Sequence, residues 1–336
     1  MNKINDFLQK TFIEERLVGM SVAITDREKT LATFNFGVQN AITKEPITDQ
    51  TRFRIASITK VVTGLTILQL VEQGKLCLTQ SIGAYVPWLK GKLADLTLAS
   101  LLSHTAGLPK EYTPKGTSDE GLLEQSLINE LGAVDLEKVG NGSPYLYSNL
   151  GIRLASLIAE KVSGEKFSTL SQRLVLTPLG MQDTFYQLQK ALLMPLALPH
   201  EKQGEEYAPV EVCENAVRYA AGGLFSTATD LCKLARCLLN DGVNDKGERV
   251  IGKEILQQAF IARTDNTGDK YGYTIMLHPF EDRVLIGHKG SAPPYCSALF
   301  TDKKSGYGVA LLINTAGKEH LRNTVIDGVF ALLNEQ

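Results

Sequence analysis

The spacing of hydrophobic positions changes period along this chain. Near the start, Ile4, Leu8, Phe12 and Ile13 recur at helical steps and predict an amphipathic helix over 4–16. Residues 19–26 and 30–37 then read as two strands joined by a turn at Arg27-Glu28-Lys29. A loop containing Pro46 and Asp49 leads into Phe53-Arg54-Ile55-Ala56-Ser57-Ile58-Thr59-Lys60. Beyond it, Ile58, Val61, Val62, Leu65, Leu68 and Val71 follow three- and four-residue steps. Ile67 and Leu70 widen that face, so a helix buried almost all round is expected, with Gly74 and Lys75 as its stop.

The middle of the chain has a helical texture broken by turns. Thr97 is placed to cap a short helix over 98–103, closed by Ser103-His104-Thr105-Ala106-Gly107-Leu108-Pro109. Residues 110–145 are polar and irregular, with a helical piece near 119–131. Clear helices are predicted over 148–162, ended by Ser163-Gly164, and over 167–176, ended by Thr177-Pro178-Leu179-Gly180-Met181. The stretch 187–217 has weak periodicity and several prolines. Ala220-Ala221-Gly222-Gly223 reads as a tight turn, and Ser226 or Thr227, with Asp230 behind, caps a helix running to Leu239.

From Tyr271 the pattern becomes alternation. Strands are predicted at 271–277, 283–288, 296–301 and 306–313, with turns at His278-Pro279 and Lys303-Lys304-Ser305-Gly306. A last amphipathic helix over 319–333 is expected to bury Leu321, Val325, Val329 and Leu332. Strands at both ends and helices between them argue an α+β fold. The simplest packing is one antiparallel β-sheet flanked by the terminal helices, plus a mainly helical lobe. The expected organisation is one domain over 1–336, with a sheet lobe at about 1–55 and 268–336 and a helical lobe at about 56–267.

Composition narrows the function classes. Among 336 residues, 43% are apolar, enough for a large core, and Lys+Arg 35 against Asp+Glu 37 gives a formal charge of -2. That balance points away from nucleic acid and from anionic membrane surfaces. Cys77, Cys213, Cys232, Cys237 and Cys296 have neither framework nor metal-motif spacing, so reduced, mostly buried thiols are expected. The first residues, Met1-Asn2-Lys3-Ile4-Asn5-Asp6, carry no apolar signal region, and no apolar run of about 18 residues occurs. As given, the chain reads as cytoplasmic with no membrane span. A periplasmic or secreted location stays open if a leader had been removed.

The candidate chemistry starts at Ser57. The pattern places it at a helix N-terminus with Lys60 one turn on, where residues three apart are neighbours. A serine hydroxyl needs a base to become a nucleophile. A lysine serves when burial and a helix N-terminus disfavour its charge. The same N-terminus aims backbone N–H groups at a developing oxyanion. Taken alone, the pair reads first as a capping serine and a surface lysine on a core helix, and the catalytic reading depends on the motifs further along the chain. Tyr147-Ser148-Asn149 opens a helix: a tyrosine beside a lysine can relay a proton, and an asparagine amide can orient a carbonyl. Alone, these read as a core tyrosine and a cap. In Gly287-His288-Lys289-Gly290-Ser291, alternation puts His288 and Gly290 on one face and Lys289 on the other, and the glycines allow close approach of a substrate backbone.

Ser57-x-x-Lys60, Tyr147-x-Asn149 and His288-x-Gly290, in this order, resemble the serine penicillin-recognising enzymes, most closely the class C β-lactamase-like family. Leu70-Val71-Glu72-Gln73-Gly74-Lys75-Leu76, the 103–109 loop, Pro178-Leu179-Gly180-Met181 with Thr184, and Ala221-Gly222-Gly223 with Ser226 and Asp230 look like that family too. The resemblance covers roughly 5–333. It implies a hydrolase acting on a small-molecule or peptide amide or ester, in which Ser57 attacks and Lys60 and Tyr147 share the base and relay work. Asn149, His288, Gly290 and Ser291 would then bind substrate, with the N–H groups of Ser57 and Ser291 as the oxyanion hole. No metal or organic cofactor is implied. The family includes class C β-lactamases, D,D-carboxypeptidases, D-aminopeptidases and esterases.

Two departures bear on the substrate. Class C β-lactamases carry Lys-Thr-Gly where this chain has His288-Lys289-Gly290, and many esterase and peptidase relatives carry histidine there. Where the family often has Gly-Phe after Ser291, this chain reads Ala292-Pro293-Pro294-Tyr295. An esterase or D-amino-acid peptidase is therefore expected ahead of a true β-lactamase, with a catalytically weak penicillin-binding or scaffold protein as the third reading. Glu211-x-x-x-Asn215 echoes the deacylation pair of class A β-lactamases but comes too late after the tyrosine motif. His104 reads as a loop-stabilising residue.

Overall fold

The structure is a computed structural model; it describes residues 1–110, 119–266 and 268–335. In chain order its strands are β1 (Gly19–Thr25), β2 (Thr30–Gly37), β3 (Phe53–Arg54), β4 (His200–Gln203), β5 (Glu206–Pro209), β6 (Phe225–Ser226), β7 (Lys270–Tyr271), β8 (Met276–Phe280), β9 (Arg283–Ala292), β10 (Tyr295–Asp302) and β11 (Tyr307–Ile313). Its helices are α1 (Asn2–Glu14), α2 (Thr59–Glu72), α3 (Leu98–Leu102), α4 (Leu123–Leu131), α5 (Asn149–Ser163), α6 (Phe167–Ser171), α7 (Leu188–Leu192), α8 (Tyr219–Gly222), α9 (Ala228–Leu239), α10 (Lys253–Ala259) and α11 (Leu321–Asn334).

The end strands join as expected for α+β. They form a seven-stranded sheet in the order β2-β1-β11-β10-β9-β8-β7, every neighbouring pair antiparallel. Alternation divides each strand between two cores. On one face Val309, Leu311 and Ile313 pack with Met20, Val22 and Ile24 under Ile4, Leu8, Val325 and Val329 of the terminal helices. On the other, Ala310, Leu312 and Leu299 join the core built around α2 and α9. The face of α1 is narrower than expected: Ile13 is 63% exposed and Thr11 takes the buried position. In α11, Leu333 is buried in place of Leu332.

The central helix α2 is buried all round from Thr59 to Leu70. Its six large aliphatic side chains, Val61, Val62, Leu65, Ile67, Leu68 and Leu70, contribute about 1.5–3 kcal/mol each on burial.

The helix caps follow the sequence closely. Thr97 makes a capping box with Ser100 at α3, Ser148 caps α5 through Gly151 N–H, and Thr227 caps α9 through Asp230 N–H. Gly164, at φ 74, ends α5 in the left-handed conformation that glycine adopts without strain.

Four local readings are corrected. Residues 272–275 are not strand, and β8 runs through His278-Pro279, where a turn was expected. The 187–217 stretch holds α7 and the hairpin β4–β5. Residues 219–222 form the short helix α8 rather than a turn. The cysteines follow expectation: all five are free and most, Cys232, Cys237 and Cys296, are buried, while Cys77 and Cys213 are exposed.

Candidate active site

Ser57 lies in a 3-10 turn, Ala56–Ile58, between β3 and α2. Ala56 takes φ 49, a left-handed conformation unusual for alanine, and so turns the chain sharply just before the serine. The expected α-helical start is thus one tighter turn, and Lys60 still falls beside the hydroxyl. Its Nζ is 3.1 Å from Ser57 Oγ and donates to Ala221 O at 2.5 Å. Lys60 has no exposed surface, whereas Ser57 is half-buried and lines a cleft of about 850 Å³. The carbonyls of α8 act as a shelf: Ala220 O accepts from Thr63 Oγ1 at 2.6 Å, next to the Lys60 contact.

Tyr147 and Asn149 flank the cap of α5. Ser148 N–H donates to His104 Nδ1 at 3.1 Å, Ser148 Oγ donates to Pro109 O at 2.7 Å, and Asn149 N–H donates to Lys110 O at 3.0 Å. The 103–110 loop therefore holds the start of α5 by three hydrogen bonds. Lys60 Nζ sits 4.9 Å from the Tyr147 ring centre. Asn149 lines the cleft.

The third motif is on β9. Its edge opposite β10 is covered by β8 only as far as Gly287, so residues 288–292 have no second strand partner among the described residues. Ser291 is exposed and lines the cleft. Gly290 has a packing reason that the sequence did not reveal. A Cβ there would stand 2.1 Å from Ser297 Oγ and 2.4 Å from Ile55 O, so only glycine lets β9 lie against the Ser57 turn. Ser297 Oγ itself donates to Ile55 O at 2.8 Å.

His288 departs from expectation. It has no exposed surface, and both ring nitrogens are engaged within the protein. Burial pushes the Tyr271 hydroxyl well above its usual range, so it stays protonated and donates to His288 Nε2 at 2.7 Å. Nδ1–H donates to Lys289 O at 2.6 Å, which fixes the tautomer. Burial, and then the charge of Lys60, push the imidazole down to about 3. His288 is a neutral support beneath the cleft, not a donor on its wall. Lys289 leaves from the opposite face, as alternation requires, and pairs with Asp269 at 2.5 Å.

Sequence reasoning missed Tyr271 and gave His104 only a loop role. The His104 ring centre lies 4.4 Å from that of Tyr147 and 4.6 Å from that of Tyr271. Burial, then Lys60, hold its pKa well below 6.5. The signal for His104 was its place at a loop that closes a helix; Tyr271 stood in a plain alternating run. Glu211 and Asn215, set aside on spacing, both line the cleft. Among the described residues no group of three or more His, Cys, Asp or Glu is placed to hold a metal, and no helix is long and apolar enough to cross a membrane.

A family model described as Beta-lactamase matches residues 4–331. The chain belongs to the beta-lactamase family. Among curated members, a protein named Beta-lactamase from Providencia stuartii is 31% identical over 232 residues, 69% of this chain and 58% of the relative. Protein flp from Staphylococcus aureus strain COL is 24% identical over 343 residues, 97% of this chain and 66% of the relative. This chain thus spans about three-fifths to two-thirds of those relatives' lengths. Solved folds agree. The octameric penicillin-binding protein homologue from Pyrococcus abyssi superposes with a TM-score of 0.85 at 25% identity, covering 100% of this chain and 77% of that one. The D-amino acid amidase from Ochrobactrum anthropi SV3 gives 0.83 at 22% identity, covering 100% and 99%. A class C beta lactamase from Rhodobacter sphaeroides gives 0.83 at 19%, covering 98% and 100%.

Proposed function

We propose that this chain is a serine hydrolase that cleaves an amide or ester through an acyl-Ser57 intermediate, with small esters or D-amino-acid amides preferred to β-lactams. The observation that carries the reading is the 3.1 Å contact between Ser57 Oγ, which lines an open cleft, and the fully buried Lys60 Nζ behind it. With an uncharged amine the contact reverses: Ser57 O–H donates to Nζ while Nζ keeps its donation to Ala221 O. Ser57 Oγ then bonds to the substrate carbonyl carbon as its proton passes to Lys60. The N–H groups of Ser57 and Ser291 receive the oxyanion, Asn149 orients the substrate carbonyl, and Gly290 keeps β9 close enough for this. Lys60 and Tyr147 return the proton to the leaving nitrogen or oxygen. Water repeats the sequence on the acyl-serine and releases the acid.

Substrate preference is argued from His288. Where class C β-lactamases have a lysine, this chain has a buried imidazole that stays neutral at pH 7. No permanent cation stands there to hold a β-lactam carboxylate. The identity with the Providencia stuartii protein named Beta-lactamase favours the second reading, a β-lactamase. Both are tested on purified protein with 4-nitrophenyl esters, D-phenylalanine amide and a chromogenic cephalosporin. Higher kcat/KM on the ester or amide is expected. Cephalosporin turnover far above both would replace the first reading by the second.

A further inference from the structure

The cleft holds a guanidinium that the catalytic scheme does not use. Arg54, on β3 three residues before Ser57, lines the same wall. Its group is fixed from two sides. The guanidinium carbon lies 4.6 Å from the Phe225 ring centre, and Nη2 donates to Cys213 O at 3.0 Å. Burial lowers its pKa, yet an arginine stays protonated in a protein. The buried arginines are neutralised: Arg52 pairs with Asp183, Arg153 with Glu130 and Arg236 with Asp245. Arg54 has no carboxylate within ion-pair distance among the described residues. Glu214, the carboxylate whose charge acts on it, already accepts from Tyr219 Oη at 2.7 Å, Gln189 Nε2 at 3.0 Å and Leu188 N–H at 3.3 Å.

Arg54 is half-buried on the cleft wall, so its unpaired charge is open to a ligand that enters there. Its fork is also rigidly held and faces the space beside the nucleophile. We infer that Arg54 is a specificity-determining residue that receives a carboxylate of the substrate. The inference rests on the acyl-Ser57 reading for its place in turnover, but not for the binding itself. It moves the anionic subsite away from the third motif, whose His288 carries no charge, to the wall formed by β3 and the Cys213 segment. Guanidinium and carboxylate match as two parallel N–H···O bonds. The carboxylate could belong to the acyl portion or to the leaving group. Glu201 and Glu211 also line the cleft, at exposed positions where water screens them; Lys110 is similarly exposed.

The test separates binding from catalysis. In Ser57→Ala protein, glutarate binding is measured by calorimetry, alone and with Arg54→Gln, Arg54→Lys or Lys110→Gln added. Saturable binding is expected. Arg54→Gln is expected to weaken it about tenfold or more, Arg54→Lys less, and Lys110→Gln little. In protein with Ser57 intact, kcat/KM for mono-4-nitrophenyl glutarate is compared with that for 4-nitrophenyl pentanoate. A pentanoate ester of a carboxylated nitrophenol is compared with its uncharged counterpart. Arg54→Gln should lower the charged-to-neutral ratio about tenfold in one arm, which identifies the portion bearing the carboxylate. Absence of glutarate binding, equal affinity in Arg54→Gln, or a loss that follows Lys110 instead overturns the inference. So does a preference for ammonium-bearing esters that follows Glu201 or Glu211. Should no ester be turned over while glutarate binding still depends on Arg54, the hydrolase reading fails and the subsite stands.

Discussion

Lys60 has contacts that suit either protonation state, and its proposed role depends on one of them. As an ammonium it donates to Ser57 Oγ and Ala221 O; as an amine it accepts from the serine. A base must shed its proton, which a guanidinium does not do. Lys60→Arg is therefore expected to be as damaging as Lys60→Ala, with kcat/KM down roughly 10³-fold or more, as for loss of one member of a catalytic unit. Near-native turnover in Lys60→Arg would make Lys60 an electrostatic anchor rather than a base. The Ser57–Lys60 proximity was legible from spacing alone, because three residues bring the groups together even across a 3-10 turn. The state of His288 was not. Strand alternation gives the face on which a side chain stands, but nothing in the chain announces that Tyr271 will cap its Nε2.

At the scale of elements, Gly290 joins the sheet to the Ser57 turn. A methyl group there meets Ser297 Oγ and Ile55 O well inside contact distance, and moving either one disturbs the hydrogen bond between them. Gly290→Ala is expected to cost about 1–3 kcal/mol, the usual penalty of overpacking, seen as a lower urea midpoint with the slope unchanged. Stability equal to that of the parent would mean that β9 does not press on this turn. Most elements were readable because their signals were local: Thr97, Ser148 and Thr227 at helix starts, and alternation in β1, β10 and β11. The strand β8 was misplaced because His278-Pro279 looks like a turn. Only Met276 and Leu277 pair with β7, so Pro279 lies on an open edge where its missing N–H breaks no ladder. The hairpin β4–β5 escaped notice because Glu201, Lys202 and Gln203 are exposed and carry no apolar alternation. Its attachment is non-local, through His200 N–H to Asn314 O and Ala41 N–H to His200 Nε2.

Across the whole molecule, histidines tie stability to pH with opposite signs. His278 stands between Asp269, at 2.5 Å from Nδ1, and Asp327 of α11, at 2.9 Å from Nε2, with Lys289 on the far side of Asp269. Burial alone would lower its pKa, but the two carboxylates outweigh burial and Lys289, and the net shift is upward. A histidine raised on folding stabilises fully below its unfolded value of about 6.5, and that contribution disappears as pH rises through the folded value. His288, at about 3, does the reverse: its contribution is complete above about 6.5 and is lost as pH falls towards 3. His104 is shifted in the same direction as His288. His278→Gln should therefore lower the urea midpoint more at pH 5.5 than at pH 9. An equal loss at both would show that the imidazole acts there by packing alone.

The proposed catalysis draws on that whole assembly, since β3, α2, α5, α8 and β9 each bring a group towards Ser57. The most direct measurement is intact mass after exposure to a fluorophosphonate probe, with peptide mapping, for the wild type and for Ser57→Ala. One adduct on Ser57 in the wild type and none in Ser57→Ala is the expected result. An unlabelled wild type, or equal labelling of Ser57→Ala, would contradict nucleophilic catalysis by Ser57.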